Sequence, residues 1–197
     1  MINIFYNKDF LGNVMIITTS FSKPNKSIKK EGFAVLYKDE ELVGINIFDT
    51  SKFKNINNGM IFANSEIIKL IKEITNIDLS KYQENNFMVG QIMKMEKIEN
   101  THLNYCEVSI GKEILKIICG ATNVKLNALV VVAMVGTFLP DAKNFIIKSN
   151  IQGKESSGML CSRKELKIET KNNESGIIIL DSHYKVGELF IEPFSNK

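Results

Sequence analysis

Phe87-Met88-Val89-Gly90-Gln91-Ile92-Met93-Lys94-Met95 decides how the larger half of the chain is read. Taken as a strand, it sets Phe87, Val89, Gln91, Met93 and Met95 on one face and Met88, Gly90 and Ile92 on the other. A glycine inside such a run fits a bulge or sharp bend, which a small barrel needs in order to close. Further β-like runs follow at short intervals: Tyr105 to Ile110, Ile114 to Cys119, Leu129 to Val135, Phe145 to Ser149 and Ile177 to Leu180. Gly111, Gly120, Gly136 and Gly153 punctuate their ends, where turns need positive φ. Five or six short strands without a long amphipathic helix predict an all-β domain, a small closed barrel, over residues 85–197.

Upstream, Lys81-Tyr82-Gln83-Glu84-Asn85-Asn86 is polar and aperiodic, and marks a boundary. Before it, Ile2 to Tyr6, Val14 to Phe21, Gly32 to Tyr37 and Leu42 to Phe48 read as strands. Lys38-Asp39-Glu40-Glu41 reads as a hairpin connection. Asn64 is placed as an N-cap before Ile67, Leu70, Ile71 and Ile74 at helical spacing. Residues 1–84 are therefore expected to form a small α+β domain, a curved sheet with one helix. No nucleotide loop, metal spacing or catalytic constellation marks its role.

The 197 residues are 44% hydrophobic and 24% charged, the balance of a globular protein with material for its own cores. No apolar run is long enough for a membrane-spanning helix, and the longest, Ala128 to Val135, has a strand's length. Asn3, Asn7, Asp9 and Asn13 interrupt the apolar N-terminus and no basic segment leads it, which argues against a signal peptide. Three cysteines, Cys106, Cys119 and Cys161, make no paired framework, and His102 and His183 lie far apart. A reducing cytoplasm without a metal or cofactor is the expectation.

The net charge of +3 excludes binding driven by bulk charge alone. Locally, six basic residues stand against Glu155 and Glu165 between Lys143 and Lys167, enough to steer a polyanion. The chain has 24 Lys but only Arg163 for arginine. Without arginine's planar fork it is poorly equipped to read guanine edges in a duplex.

Several motifs together resemble one family. Ile118-Cys119-Gly120-Ala121-Thr122-Asn123-Val124 is similar to the "VCGAxNV" segment of the bacterial tRNA-binding domain. Ala133-Met134-Val135-Gly136-Thr137-Phe138-Leu139-Pro140 resembles its "A-x-x-G-x-x-(L/M)-P" turn. Residues 151–162, Ile151-Gln152-Gly153-Lys154-Glu155-Ser156-Ser157-Gly158-Met159-Leu160-Cys161-Ser162, resemble its "L-R-G-x-x-S-x-G-M-(L/I)-C-S" segment, and Lys164-Glu165-Leu166 continues the match. Val89-Gly90-Gln91-Ile92 and Leu103-Asn104-Tyr105-Cys106, with Val108 and Gly111, resemble its first two strands. The module occurs in the phenylalanyl-tRNA synthetase β subunit, in many methionyl-tRNA synthetases and in the endothelial-monocyte-activating polypeptide. The two-domain layout resembles the free-standing YtpR-type proteins. The resemblance departs at Lys97-Ile98-Glu99-Asn100-Thr101-His102-Leu103, where relatives often carry "H-P-x-A-D-x-L", and at Gln152, where they often carry Arg.

The resemblance implies an OB-fold, a five-stranded Greek-key barrel, and tRNA as the partner. It places the binding residues at Asn123, Lys148, Lys154, Ser156, Ser157, Gly158, Met159, Arg163 and Lys164. The cations would meet phosphates. Ser156 and Ser157 would offer hydroxyls or cap turns. Gly158 would admit close backbone approach or satisfy a positive-φ turn. Met159 would press on a base or pack the core. Asn123 would pair with a base edge or cap its loop. Lys94 and Lys116 are second choices. The 151–164 motif has no aromatic, so shape-directed binding with few bases read is expected.

Three readings follow. The first is a non-catalytic tRNA-binding protein acting in trans or delivering tRNA to an aminoacyl-tRNA synthetase, with a homodimer as one arrangement and no membrane. The second is an accessory piece of a synthetase, although no ATP-binding signature is found. The third is a protein-interaction barrel without RNA binding.

Overall fold

Alternation of apolar and polar side chains builds most of this protein. A computed structural model of the chain describes residues 1–54, 56–61, 63–82, 86–139, 144–168 and 175–190. They separate into two compact units, within residues 1–84 and 85–193, each with its own hydrophobic core. Residues 83–85 of the expected boundary, together with Pro140, Lys143 and residues 191–197, lie outside the described residues.

The first unit contains β1 (Asn3–Tyr6), α1 (Lys8–Leu11), β2 (Met15–Thr18), β3 (Lys26–Lys30), β4 (Phe33–Lys38), β5 (Glu41–Ile47), β6 (Gly59–Ile61) and α2 (Ser65–Thr75). Its strands form an antiparallel sheet in the order β3-β4-β5-β2-β1-β6. Met15 and Ile17 of β2 and Ile45 and Ile47 of β5 join one core with Ile68 and Ile71 of α2. Burying each such side chain stabilises by about 1.5–3 kcal/mol. The Asn64 side chain accepts from the Ile67 amide at 2.9 Å, the N-cap expected from sequence. Asp39 (φ 55°) begins the two-residue β4–β5 turn, whose flanks Lys38 and Glu41 are paired. The expectation of one helix and four strands is incomplete. α1 is a single turn, β3 has only Ile28 as an apolar residue, and β6 is three residues long, so none carries a period to read.

The second unit contains β7 (Phe87–Lys97), β8 (Asn104–Ser109), β9 (Ile114–Cys119), β10 (Leu129–Ala133), β11 (Ser149–Ile151), β12 (Lys154–Ser156), β13 (Met159–Leu160) and β14 (Ile179–Leu180). The main antiparallel sheet runs β13-β10-β7-β8-β9, with β14 also on β10 and β11–β12 as a separate hairpin. β7 serves two neighbourhoods. Residues 87–91 pair with β10, and residues 91–97 with β8. Among the described residues the ladder does not close into a ring. Its end strand β9 is instead tied to the segment after β12, where the Ser157 amide donates to the Lys116 carbonyl at 2.8 Å.

Three expectations change here. The register shift in β7 falls between Ile92 and Lys94, not at Gly90. Gly90 answers to packing, because a Cβ there would stand 2.7 Å from methyls of Val108 and Val132. Met93 and Met95, expected on the face of Phe87 and Val89, follow the shift and are 50% and 37% exposed. Phe145 to Ser149 is not a strand. Phe145 makes one bridge to Phe138, with the two rings edge-to-face at 5.1 Å, and the ladder begins only at Ser149.

Candidate nucleic-acid interface

The sequence motif at 151–164 becomes a hairpin, a buried crossing and a capped turn. In the hairpin, Ile151 pairs with Lys154, and Gln152 and Gly153 between them have φ of 51° and 76°. Two successive positive φ angles define the turn whose twist matches antiparallel strands. The Asn150 side chain accepts from the Gly153 amide at 2.9 Å and holds it.

The hairpin gathers charges with β7 and β8. Lys154 Nζ stands 4.5 Å from the ring centroid of Tyr105 and 4.0 Å from Glu96 Oε2. Glu96 also pairs with Lys94 at 2.7 Å. On the hairpin itself, Glu155 Oε1 accepts from the Ser157 hydroxyl at 2.8 Å and lies 3.5 Å from Lys148 Nζ. The Ser157 hydroxyl, and then Lys148, hold the Glu155 carboxyl below its usual value; the Lys94 hydrogen bond does the same for Glu96. Glu96 reciprocally raises Lys94. Lys154 with Glu96, Lys94 and Tyr105 makes one cluster, and Lys148 with Glu155 and Ser157 another; of these partners sequence reading noted Glu155 but neither Glu96 nor the aromatic ring. Tyr105 sits on a motif strand, not inside the 151–164 segment, which is why the ring was not anticipated beside Lys154.

Other motif residues turn inward. Ser156 is buried, and its Oγ accepts from the Ile118 amide at 3.0 Å and donates to the Gly158 carbonyl at 3.3 Å. Gly158, at φ 149°, is buried too; a Cβ there would meet the Ala133 carbonyl oxygen at 3.1 Å and Ile117 Cδ1 at 3.3 Å. Asn123 clamps the Ile177 backbone, donating Nδ2 to its carbonyl at 2.8 Å and accepting its amide on Oδ1 at 3.0 Å. Met159 is half-buried in β13 opposite Ala133.

Arg163 and Lys164 stand on the turn that follows β13. Glu165 Oε2 accepts from the Ser162 amide at 2.7 Å and hydroxyl at 2.6 Å, while the Glu165 amide donates back to Ser162 Oγ at 3.3 Å. This is a capping box, legible in the spacing Ser162-Arg163-Lys164-Glu165. The turn ends with Lys167 at φ 54°, the Ile168 amide donating to the Arg163 carbonyl at 2.9 Å and the Lys167 amide to the Lys164 carbonyl at 3.0 Å. Both ends of one short turn are therefore fixed, and the cations on it are presented by rigid backbone. Lys164 is exposed. Among the described residues no group of three His, Cys, Asp or Glu side chains could hold a metal ion. The three thiols are buried; desolvation pushes Cys106 up to about 11 and raises Cys119 and Cys161.

Lysines on a hairpin and on a clamped turn supply positive charge that a polyanion could meet. A family model described as "Putative tRNA binding domain" matches residues 87–189, and the chain belongs to that family. Along nearly its whole length it is similar to "Putative tRNA-binding protein YtpR" of Bacillus subtilis (strain 168), at 34% identity over 204 residues, 95% of this chain and 98% of that protein. It is also 34% identical over 207 residues to "Uncharacterized protein MG449 homolog" of Mycoplasma pneumoniae, covering 99% of this chain and 87% of that one. The phenylalanine–tRNA ligase beta subunit of Fusobacterium nucleatum is 44% identical over 124 residues, 61% of this chain but 15% of the ligase subunit.

Proposed function

We propose that this protein binds tRNA without catalysing a reaction, through the second unit. Lys148, Lys154, Arg163 and Lys164 contact backbone phosphates, with Lys94 and Lys116 behind them. Ser157 offers its hydroxyl once Glu155 releases it, and Met159 lends a half-buried thioether edge. Ser156, Gly158 and Asn123 act one step back, as positioning residues for the hairpin and the adjoining loop. The observation that carries the reading is the coincidence of the family match over residues 87–189 with cations fixed on a two-residue hairpin and a doubly capped turn.

In this reading the second unit is a five-stranded OB-type barrel of β7, β8, β9, β10 and β13. The Ser157–Lys116 backbone hydrogen bond and the Ser156 hydroxyl on the Ile118 amide support closure between β9 and the chain leaving β12. The protein works in the cytoplasm, in trans or for an aminoacyl-tRNA synthetase, and as a homodimer would offer two such faces. No described helix is long and apolar enough to cross a membrane.

The test is a fluorescence-anisotropy titration of labelled bulk tRNA at two salt concentrations. The unsubstituted chain is set beside one carrying Lys154→Ala, Arg163→Ala and Lys164→Ala. Saturable binding that weakens with salt, and weakens further in the variant, is expected. Salt-independent binding, or none at low salt, would overturn the reading.

A further inference from the structure

The first unit carries a basic strand that has no carboxylate partner among the described residues. Residues 21–30 are all exposed, and they include Lys23, Lys26, Lys29 and Lys30 with no acid between Asp9 and Glu31. Three of these lysines lie on β3, at the edge of the sheet, where β4 is its one paired neighbour among the described residues. Lys26 and Lys30 fall on one face of the strand and Lys29 on the other. Every residue of β3 is exposed, so the strand presents cations on both sides.

The cluster contrasts with the lysines gathered around the hairpin of the second unit. There, Lys94, Lys148 and Lys154 each stand beside a glutamate. Among the described residues none of Lys23, Lys26, Lys29 and Lys30 has a carboxylate partner; Lys30 meets only the Phe33 ring, 5.9 Å from its centroid. The nearby Asp39 is engaged elsewhere, accepting from Asn25 Nδ2 at 2.7 Å and lying 3.9 Å from Lys38 Nζ. Unpaired, solvated ammonium groups along an extended strand suit a ligand with repeated single charges. They suit a duplex read by its bases poorly, since no arginine accompanies them.

We propose that β3 is a second contact surface for the tRNA phosphodiester backbone, which gives the first unit an RNA-binding role of its own. The inference rests on the tRNA-binding reading of the second unit. Edge lysines also protect a sheet from pairing with another chain, and the test must separate the two roles.

Bulk tRNA is titrated at several salt concentrations with the full chain, with Lys26→Gln/Lys29→Gln/Lys30→Gln, and with the corresponding triple arginine substitution. Each neutralised phosphate contributes roughly 0.7–0.9 to the slope of log affinity against log salt. The glutamine variant is expected to lose roughly 2 from that slope while the arginine variant keeps it. If the glutamine variant has no cooperative thermal transition, Lys29→Gln replaces it, with an expected loss just under one. Unchanged slope and affinity in the glutamine variant, with weakened binding in the Lys154/Arg163/Lys164 variant, would overturn this inference alone. Unchanged binding accompanied by self-association in gel filtration would assign the lysines to edge protection. Absence of binding by the unsubstituted chain would remove both readings together.

Discussion

At the residue scale, the most demanding positions are those where a side chain replaces something the backbone lacks. Asn123 satisfies both backbone groups of Ile177, 54 positions away. Asn123→Ala would leave a part-buried amide and carbonyl unmatched, at a cost of about 1–3 kcal/mol. Urea unfolding should read this as a lower midpoint, and an unchanged midpoint would mean that water replaces the clamp. Gly90→Ala should cost about 1–3 kcal/mol through overpacking, because the two valine methyls it meets belong to branched, stiff side chains. The sequence marked Gly90 as a bulge and Asn123 as a base contact or a loop cap, but named neither the valines around the one nor Ile177 as the partner of the other. Close approach across three strands and a clamp spanning 54 residues are tertiary facts without local periodicity. The Ser162–Glu165 box, by contrast, was open to reading from its spacing alone.

At the element scale, strong alternation was legible and weak alternation was not. β1, β2, β4, β5 and β7 to β10 have apolar runs, and α2 has both a cap and a 3.6-residue period. β3, β11 and β12 are short, polar and held by pairing with one neighbour, so composition alone reads them as loop. Of the candidate site, the cations and the glycine turn were visible, whereas the glutamates facing the lysines depended on register. Those glutamates carry a prediction. Glu96 is shared between Lys94 and Lys154, so Glu96→Gln frees two cations for phosphate. It should strengthen tRNA binding several-fold in the anisotropy titration and steepen its salt dependence. Weakened binding in Glu96→Gln would show that the carboxylate positions Lys154 rather than competing for it.

At the scale of the whole molecule, acidic pH should loosen a set of surface ties in both units. Depressed carboxyls include Asp78, held first by Lys72; Asp49, held by the Ser51 amide; and Asp181, held by the His183 amide; Glu96 and Glu155 behave likewise. A carboxyl depressed in the folded state binds fewer protons there than in the unfolded chain. Its contribution is present above the unfolded value, roughly pH 4, and is lost as pH falls through the folded value. All five are exposed, so the urea midpoint should drop modestly between about pH 5 and pH 3, and less in high salt. A midpoint that rises over that interval would contradict the assignment. The buried thiols set a different boundary. With Cys106 raised to about 11, only about one molecule in a thousand carries its thiolate at pH 8. A thiol-reactive dye should therefore label native protein far more slowly than protein in urea, and equal rates would refute the burial.

Among the described residues β11 pairs with β12 alone, through three residue pairs, and is exposed throughout, while the far end of β12 is anchored by Ser156 on the Ile118 amide. The exposed β11 side of such a ladder can open while Ser156 stays anchored on β9. In deuterated water its amides should exchange at rates set by that local opening, far ahead of those in β7 and β10. A tRNA strand lying across the hairpin would suppress the opening, so the slowing of isotope uptake at residues 149–155 would trace its footprint amide by amide.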